Sequence, residues 1–365
     1  MKINSFKIDI KEKNWHIEET VFDNFNLLVG VSGVGKTRIV KTILGVCQVA
    51  TGNYQPQELV DWKIGFVHAE QEYEWELRSS LVEHDFSSVS ESEFVFERIL
   101  KKVGDDKIVL LERSEKVNQL DGKALPKLKK TESAINLLSK EPSIVPIYEG
   151  FNRVIFSQAT LQQVVFSVNL ETAKKRIPLD DLKKKSTQLP SVVKAYRLAK
   201  FYPEEFNKIK KDFTDIFPSV EDIKVSVTRK TEGYEFSFNI KENNQWVSQS
   251  QISSGMFRTL VHLIDISLAP QGSVIVIDEF ENSLGINCMP DLTDFVMSKA
   301  PHLQFILTSH HPYIISKIPS KTWKLVRRKG ASVSVINATN IPQLQTGSRL
   351  NKFIQLANLP EYSLK

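Results

Sequence analysis

Polar and apolar residues alternate along the opening of the chain, and INSFKIDI (3–10) and FNLLVG (25–30) predict strands. Past the glycines at 30–35 the period lengthens. Ile39, Val40, Ile43, Leu44 and Cys47 recur at helical spacing, so TRIVKTILGVCQVA (37–50) predicts a helix that buries them. WKIGFVHAEQEYEWELR (62–78) alternates on both sides of a polar turn. It predicts a β-hairpin with Trp62, Ile64, Phe66, Tyr73, Trp75 and Leu77 on one face. KIVLLERSEKVNQLDGKAL (107–125) predicts a further antiparallel piece, and residues 131–217 turn mainly helical. IKVSVTRKTEGYEFSFNIKENNQWVSQS (223–250) predicts a hairpin or meander with a turn at Glu232–Gly233. Then helix, strand, helix and strand follow: QISSGMFRTLVHLIDISLA (251–269), SVIVIDE (273–279), MPDLTDFVMSKA (289–300) and QFILTSH (304–310). TWKLVRRKGASVSVINA (322–338) predicts a closing hairpin around Lys329–Gly330. Strands of one core lie on both sides of the long middle section. The pattern therefore predicts interleaved lobes: 1–130, an inserted helical lobe at 131–217, and 218–365, with the first and third forming one head.

Three stretches carry chemistry. GVSGVGKT (30–37) fits the phosphate loop G-x-x-x-x-G-K-[ST], between an apolar strand and a helix. Its glycines let backbone N–H groups curl round a phosphate, where a Cβ would hold them away. Lys36 would reach the β- and γ-phosphates and Thr37 would offer a hydroxyl to Mg²⁺. In SVIVIDE an apolar run, Val274 to Ile277, ends on Asp278 and Glu279. Such a run suits a parallel strand buried on both faces, whose C-terminal end is where ligands bind. Asp278 would join the magnesium shell and Glu279 would polarise the attacking water. FILTSHHPYII (305–315) is the third: a core strand ends at Thr308 and Ser309, followed by His310 and His311. His310 is the candidate for a γ-phosphate contact, with His311 as its alternative.

A second helix start also has the makings of an anion site. Ser253, Ser254 and Gly255 precede Met256, Leu260, Val261, Ile264 and Leu268 at helical spacing. The first turn of a helix presents free N–H groups and the positive end of its dipole.

Composition narrows the class without naming it. The 365 residues are 41% hydrophobic and 25% charged, ordinary for a globular protein with more than one core. The net charge of +5 permits contact with nucleic acid but does not require it. Lysines cluster at 174–185 and 208–211, where a nucleic-acid groove and a solvated face are both open readings. Two isolated cysteines, Cys47 and Cys288, form neither a zinc motif nor a disulfide framework, and point to a reducing cytoplasm. The first residues lack the apolar core of a signal peptide, and no apolar run reaches the roughly 20 residues that span a bilayer. A soluble, cytoplasmic protein without a membrane partner is expected.

In their order, GVSGVGKT, ISSGM, VIVIDE and LTSHHP resemble the ATP-binding-cassette ATPases, and most of all their OLD/RecF/SMC branch. The resemblance implies an α/β fold: an ABC-type P-loop ATPase head with a mixed antiparallel β subdomain, a central parallel sheet and an inserted helical lobe. It implies ATP and Mg²⁺ as cofactors. Gly30, Ser32, Gly33, Gly35, Lys36, Thr37 and Asp278 would then bind ATP, with Glu279 and His310 catalytic. Thr37, Asp278 and Gln158, in RVIFSQATLQQ (153–163), would hold the metal, although the approach to Gln158 reads equally as an ordinary strand or helix. The resemblance also assigns the second helix start. Ser253, Ser254 and Gly255 would grip the γ-phosphate of ATP on the opposite subunit, so ATP would join two chains head to tail.

The chain departs from the family pattern in places. Phe280 stands where the family has proline, Gly285–Ile286 replace His-Pro, and Ile252 replaces the signature's leading leucine. Thr37 and Asp278 lie 241 residues apart, further than in transporter ATPases. Heptad arms and a C-x-x-C hook are absent, and about 55 residues follow His310, too few for a Toprim nuclease. The resemblance is thus to an OLD-like ATPase without its own nuclease, similar to the ATP-sensing subunits of bacterial anti-phage systems. It implies a separately encoded effector, a nuclease or toxin, as partner. The alternative is a RecF-like repair clamp with DNA as partner; a third reading, a scaffold that binds ATP without turning it over, sits poorly with Glu279 and His310.

Overall fold

The computed structural model describes residues 1–56, 58–82, 91–158, 165–166, 175–185, 187, 189–231 and 233–359. In chain order the strands are β1 (Lys2–Ile10), β2 (Trp15–Val21), β3 (Phe25–Val29), β4 (Val60–His68), β5 (Gln71–Val82), β6 (Glu91–Val103), β7 (Asp106–Arg113), β8 (Asn118–Leu120), β9 (Lys123–Ala124), β10 (Val154–Phe156), β11 (Val165–Phe166), β12 (Val220–Lys230), β13 (Gly233–Glu242), β14 (Gln245–Ser248), β15 (Val274–Ile277), β16 (Gln304–Thr308), β17 (Trp323–Lys329) and β18 (Ser332–Asn337). The α-helices are α1 (Lys36–Ala50), α2 (Ala134–Leu137), α3 (Val145–Phe151), α4 (Leu179–Lys184), α5 (Ser191–Phe201), α6 (Pro203–Ile216), α7 (Ser254–Ser267), α8 (Met289–Lys299), α9 (Pro312–Lys317) and α10 (Arg349–Asn358).

Two interleaved units form. The first joins Met1–Val154 with Gly272–Asp278 and Gln304–Lys365; the second joins Ile155–Gln271 with Glu279–Leu303. These boundaries differ from those read from the sequence. Residues 131–154 stay with the first unit, because α2 and α3 pack on α1. The meander at 220–248 belongs with α5 and α6, which pack against it, so strands as well as helices build the second unit.

In the first unit, β15, β16, β3 and β17 run parallel. VIVI, QFILT and FNLLV are buried at every position, as strands covered on both faces must be. The sheet continues through β18 and β2 into an antiparallel series, β1-β4-β5-β6-β7-β8-β9. There the alternation predicted for the hairpin is realised: Trp62, Ile64, Phe66, Tyr73, Trp75 and Leu77 are all buried. Trp75 and Phe66 meet Phe151 of α3 edge-on, with ring centroids 5.3 and 4.9 Å apart. The β4–β5 turn consists of Ala69 and Glu70, both with φ in the left-handed region, the backbone that matches strand twist in a two-residue hairpin. The last hairpin turns at Gly330–Ala331, because Lys329 already pairs with Ser332.

In the second unit, β12, β13 and β14 form an antiparallel meander with β11 beside β13. Glu232, one half of the turn expected there, lies outside the described residues. α7 is buried almost all round, from Phe257 to Ile266, whereas its apolar spacing implied a single inward face. In α1, Val46 is buried and Leu44 only half-buried, a small rotation from the predicted stripe. Among the described residues no helix is long and apolar enough to cross a membrane.

Candidate nucleotide site

The phosphate loop lies between β3 and α1, as its motif requires. Gly33 and Gly35 have φ of +83° and +106°, which L side chains rarely adopt. A Cβ on Gly35 would come within 2.9 Å of the Trp15 ring, while the space beside Gly33 is open for 4 Å. The loop is thus pressed on one side by a tryptophan and open on the other. Arg38 lies 3.9 Å from the Trp15 ring centroid and Arg328 lies 4.9 Å from it. Burial and the neighbouring Arg328 lower the Arg38 pKa, partly opposed by Glu58. Lys36 folds back so that Nζ donates to the carbonyls of Gly30 (2.6 Å) and Val31 (3.0 Å). Ser32 is exposed at the rim.

Asp278 follows the last residue of β15. Its Oδ1 accepts from Thr37 Oγ1 at 3.1 Å and from Thr308 Oγ1, at the end of β16, at 2.7 Å. Hydrogen bonds to a charged acceptor are worth about 1.5–3 kcal/mol each, enough to fix the carboxylate's rotamer. The structure also separates the two histidines. His311 caps α9, its Nδ1 accepting from the Tyr313 amide at 3.2 Å, so its ring is engaged locally. His310 is exposed at the same strand end.

The remaining candidates lie in the second unit. Ser253 caps α7 by accepting from the Met256 amide (3.2 Å); Ser253 and Ser254 are exposed and Gly255 is buried. A Cβ on Gly255 would fall 2.7 Å from the Ser283 carbonyl, so the helix start packs directly on the loop after Glu279. Glu279 itself has φ +48°, left-handed for a residue with a Cβ, a conformation costing about 1–3 kcal/mol. Its carbonyl accepts from Arg258 Nη2 (2.7 Å) and from the Asn282 amide (2.8 Å), and Asn282 Nδ2 donates to its Oε2 at 3.2 Å. Gln158 is exposed, two residues beyond β10. Among the clustered lysines, Lys208 pairs with Glu205 (2.7 Å) and Lys210 with Asp222 (2.6 Å).

Sequence reasoning missed Trp15 and Arg258; it placed Thr308 at a strand end and Asn282–Leu284 in a loop signalling between the two sites, without seeing Thr308 as a partner of Asp278 or Asn282 as a partner of Glu279. Thr308 had a signal, a hydroxyl at the end of a buried strand next to the acidic one. Trp15 had none, because only the β2–α1 packing brings it under Gly35.

Residues 25–316 match the family model described as "AAA domain, putative AbiEii toxin, Type IV TA system". The chain belongs to this AAA-domain family. No curated protein matches it by sequence. Among solved structures, the SMC head bound to the C-winged-helix domain of ScpA superposes with a TM-score of 0.51 at 13% identity, covering 92% of this chain and 97% of that one. Two others are similar at lower scores. The SMC head domain from Thermotoga maritima has a TM-score of 0.42 at 10% identity, covering 92% and 99%. The SMC head with an extended coiled coil, bound to the C-terminal domain of ScpA from Pyrococcus furiosus, has 0.45 at 13%, covering 92% and 96%. The AAA-domain chain thus has the mixed α/β fold of an SMC-type P-loop ATPase head and is a nucleotide-binding ATPase domain by family. Its residues fit the cofactors that the family implies. The open space at Gly33 would be filled by a Cβ, and Thr37 and Asp278 offer the hard oxygen donors that Mg²⁺ prefers.

Proposed function

We propose that the chain binds and hydrolyses ATP with Mg²⁺ and acts as a nucleotide-driven switch. In this reading two copies close head to tail around ATP. The observation that carries it is the Asp278 carboxylate, held by Thr37 of the phosphate loop and Thr308 of the neighbouring strand. Gly30, Ser32, Gly33, Gly35 and Lys36 cradle the phosphates; Thr37, Asp278 and Gln158 hold the metal. When bound, magnesium offsets phosphate charge and polarises the γ-phosphoryl group. Glu279 accepts the proton of the attacking water, a role worth on the order of 10²–10⁴ in rate. Arg258 and Asn282 keep its backbone and carboxylate in place. His310 donates to the phosphoryl oxygens. Ser253, Ser254 and Gly255 serve the nucleotide of the second copy, in keeping with two exposed serines at a capped helix start.

The output passes to a separately encoded effector, a nuclease or toxin, in bacterial anti-phage defence of the OLD-like kind. The toxin–antitoxin wording of the family description supports a role in a system of more than one component. For such a switch the effector must bind the two nucleotide states with different affinity, since equal affinity shifts nothing.

Steady-state ATPase and sedimentation test the proposal. Lys36→Ala is expected to lose nucleotide binding. Glu279→Gln is expected to bind ATP normally, turn over at least a hundredfold slower and accumulate as an ATP-bound dimer. A Glu279→Gln protein that stays monomeric with saturating ATP at high concentration overturns the shared site. DNA-stimulated turnover without any toxic partner would favour a DNA clamp instead.

A further inference from the structure

Within the second unit lies a polar cluster that the reading above does not use. Ser157, His262, Asp265 and Lys194 are each at most 3% exposed. Ser157 Oγ is 2.8 Å from His262 Nδ1 and 2.9 Å from Asp265 Oδ2. Asp265 Oδ1 accepts from Ser191 Oγ at 2.7 Å and from Lys194 Nζ at 2.8 Å. Proton roles follow from the acceptors. A carboxylate oxygen 2.9 Å from a hydroxyl requires the hydroxyl proton between them, so Ser157 donates to Asp265. His262 then carries its proton on Nδ1 and donates to Ser157 Oγ.

These bonds join three segments. His262 and Asp265 lie one turn apart on α7, Ser191 and Lys194 begin α5, and Ser157 directly precedes Gln158. Adhesion alone does not account for the chemistry. A buried Lys–Asp pair returns little net stability over apolar side chains of similar size, whereas hydrogen bonds that reach both Asp265 oxygens from two other segments fix one geometry of the carboxylate.

We infer that Ser157 is a positioning residue, a latch through which the backbone bearing Gln158 is fixed to α7, the helix that presents Ser253–Gly255. The inference rests on the proposed roles of Gln158 and of the α7 start. Asp265 and Ser253 are twelve residues apart, about 18 Å along a helix. A helix that long and buried moves as a body, so a shift at Ser157 on metal–nucleotide binding reaches the face that meets the second copy. Lys194 holds the carboxylate from its other side and keeps it turned toward Ser157; Ser191 is a second donor to the same oxygen, Oδ1, which Lys194 still holds when the Ser191 hydroxyl is removed.

Hydrogen–deuterium exchange of the full chain tests the latch, with and without Mg²⁺ and ATP, in a Ser253→Arg background. That background keeps its own phosphate loop but blocks the shared face, so closure with a second copy cannot itself protect α7. MgATP is expected to slow exchange at least threefold at residues 30–37, 150–158 and 256–267. Adding Ser157→Ala should abolish the response at 256–267 and keep the other two. Adding Ser191→Ala, which removes a different bond to Asp265, should keep all three. If Ser157→Ala melts well below Ser191→Ala, then Ser157→Cys, similar in shape with a weaker donor, carries the same comparison. An α7 response that survives loss of the Ser157 hydroxyl overturns the latch, as does a response at 30–37 and 150–158 with none at α7. Absence of any response at 30–37 is the separate failure of the nucleotide reading and takes the latch with it.

Discussion

Gly255→Ala adds one methyl group where the start of α7 meets the loop after Glu279. The new Cβ would lie 2.7 Å from the Ser283 carbonyl oxygen, 3.5 Å from the Gly285 nitrogen and 3.7 Å from the Leu284 Cα. Only the first is a clash, and its partner is backbone, so relief requires the loop to retreat by about half an ångström. The loop is poorly able to do so. Ser283 already has φ +62°, the Asn282 amide is tied to the Glu279 carbonyl, and the Leu284 amide donates to the Glu281 carbonyl at 3.0 Å. Overpacking of this kind costs about 1–3 kcal/mol, a fall of several degrees in melting temperature. The movement also runs back through Asn282 to the Glu279 carboxylate. ATP turnover is therefore expected to drop at least tenfold, while fluorescent-nucleotide titration shows affinity within about threefold of the parent. Gly33→Ala is the contrast: its Cβ meets no protein atom within 4 Å, so the strain of φ +83° and the methyl group's intrusion on the phosphate cradle both fall on nucleotide affinity. A Gly255→Ala protein with unchanged melting temperature and turnover within twofold of the parent would refute the packing argument.

Further outcomes follow from other contacts. Thr308→Val keeps the shape of a buried strand end but frees one side of Asp278; the Mg²⁺ concentration for half-maximal turnover should rise severalfold, and an unchanged magnesium curve would exclude an orienting role. Burial holds His262 neutral, with its pKa lowered to about 3, assisted by Arg258 and opposed by Asp265. Its contribution to stability is complete above pH 6.5 and is lost at about 1.4 kcal/mol per unit as pH falls toward 3, roughly 2 kcal/mol at pH 5. His68, lowered to about 4, acts in the same direction, so urea midpoints should fall on acidification, and less steeply in His262→Asn; equal slopes would contradict this. Lys36→Ala mixed with Ser253→Arg should regain part of the ATPase, because one composite site in the mixed dimer is whole; two dead variants that exchange subunits and stay dead would count against sharing. Alone with Mg²⁺ or Mn²⁺, the protein is expected to leave DNA and RNA uncut, and cleavage that persists in pure Lys36→Ala would reveal a second active site.

What the sequence determined by itself is local. A phosphate loop needs its glycines, Lys36 and Thr37 within eight residues, and a buried parallel strand needs an unbroken apolar run, so both are written contiguously. The hairpin face from Trp62 to Leu77 is legible for the same reason: a period of two on each side of a short turn leaves one solution. Tertiary structure alone decided what depends on partners distant in the chain. Periodicity gave α7 one apolar face. The fold buries it nearly all round, and Arg258, His262 and Asp265 enter the interior because Glu279, Ser157 and Lys194 arrive there to bond them. The boundary at Val154/Ile155 was equally hidden, since it depends on which unit a segment packs against and not on its own pattern. Trp15 under Gly35 and Thr308 on Asp278 are of the same kind. A single aromatic or hydroxyl residue carries no period, and its role exists only once the sheet has brought another segment within reach.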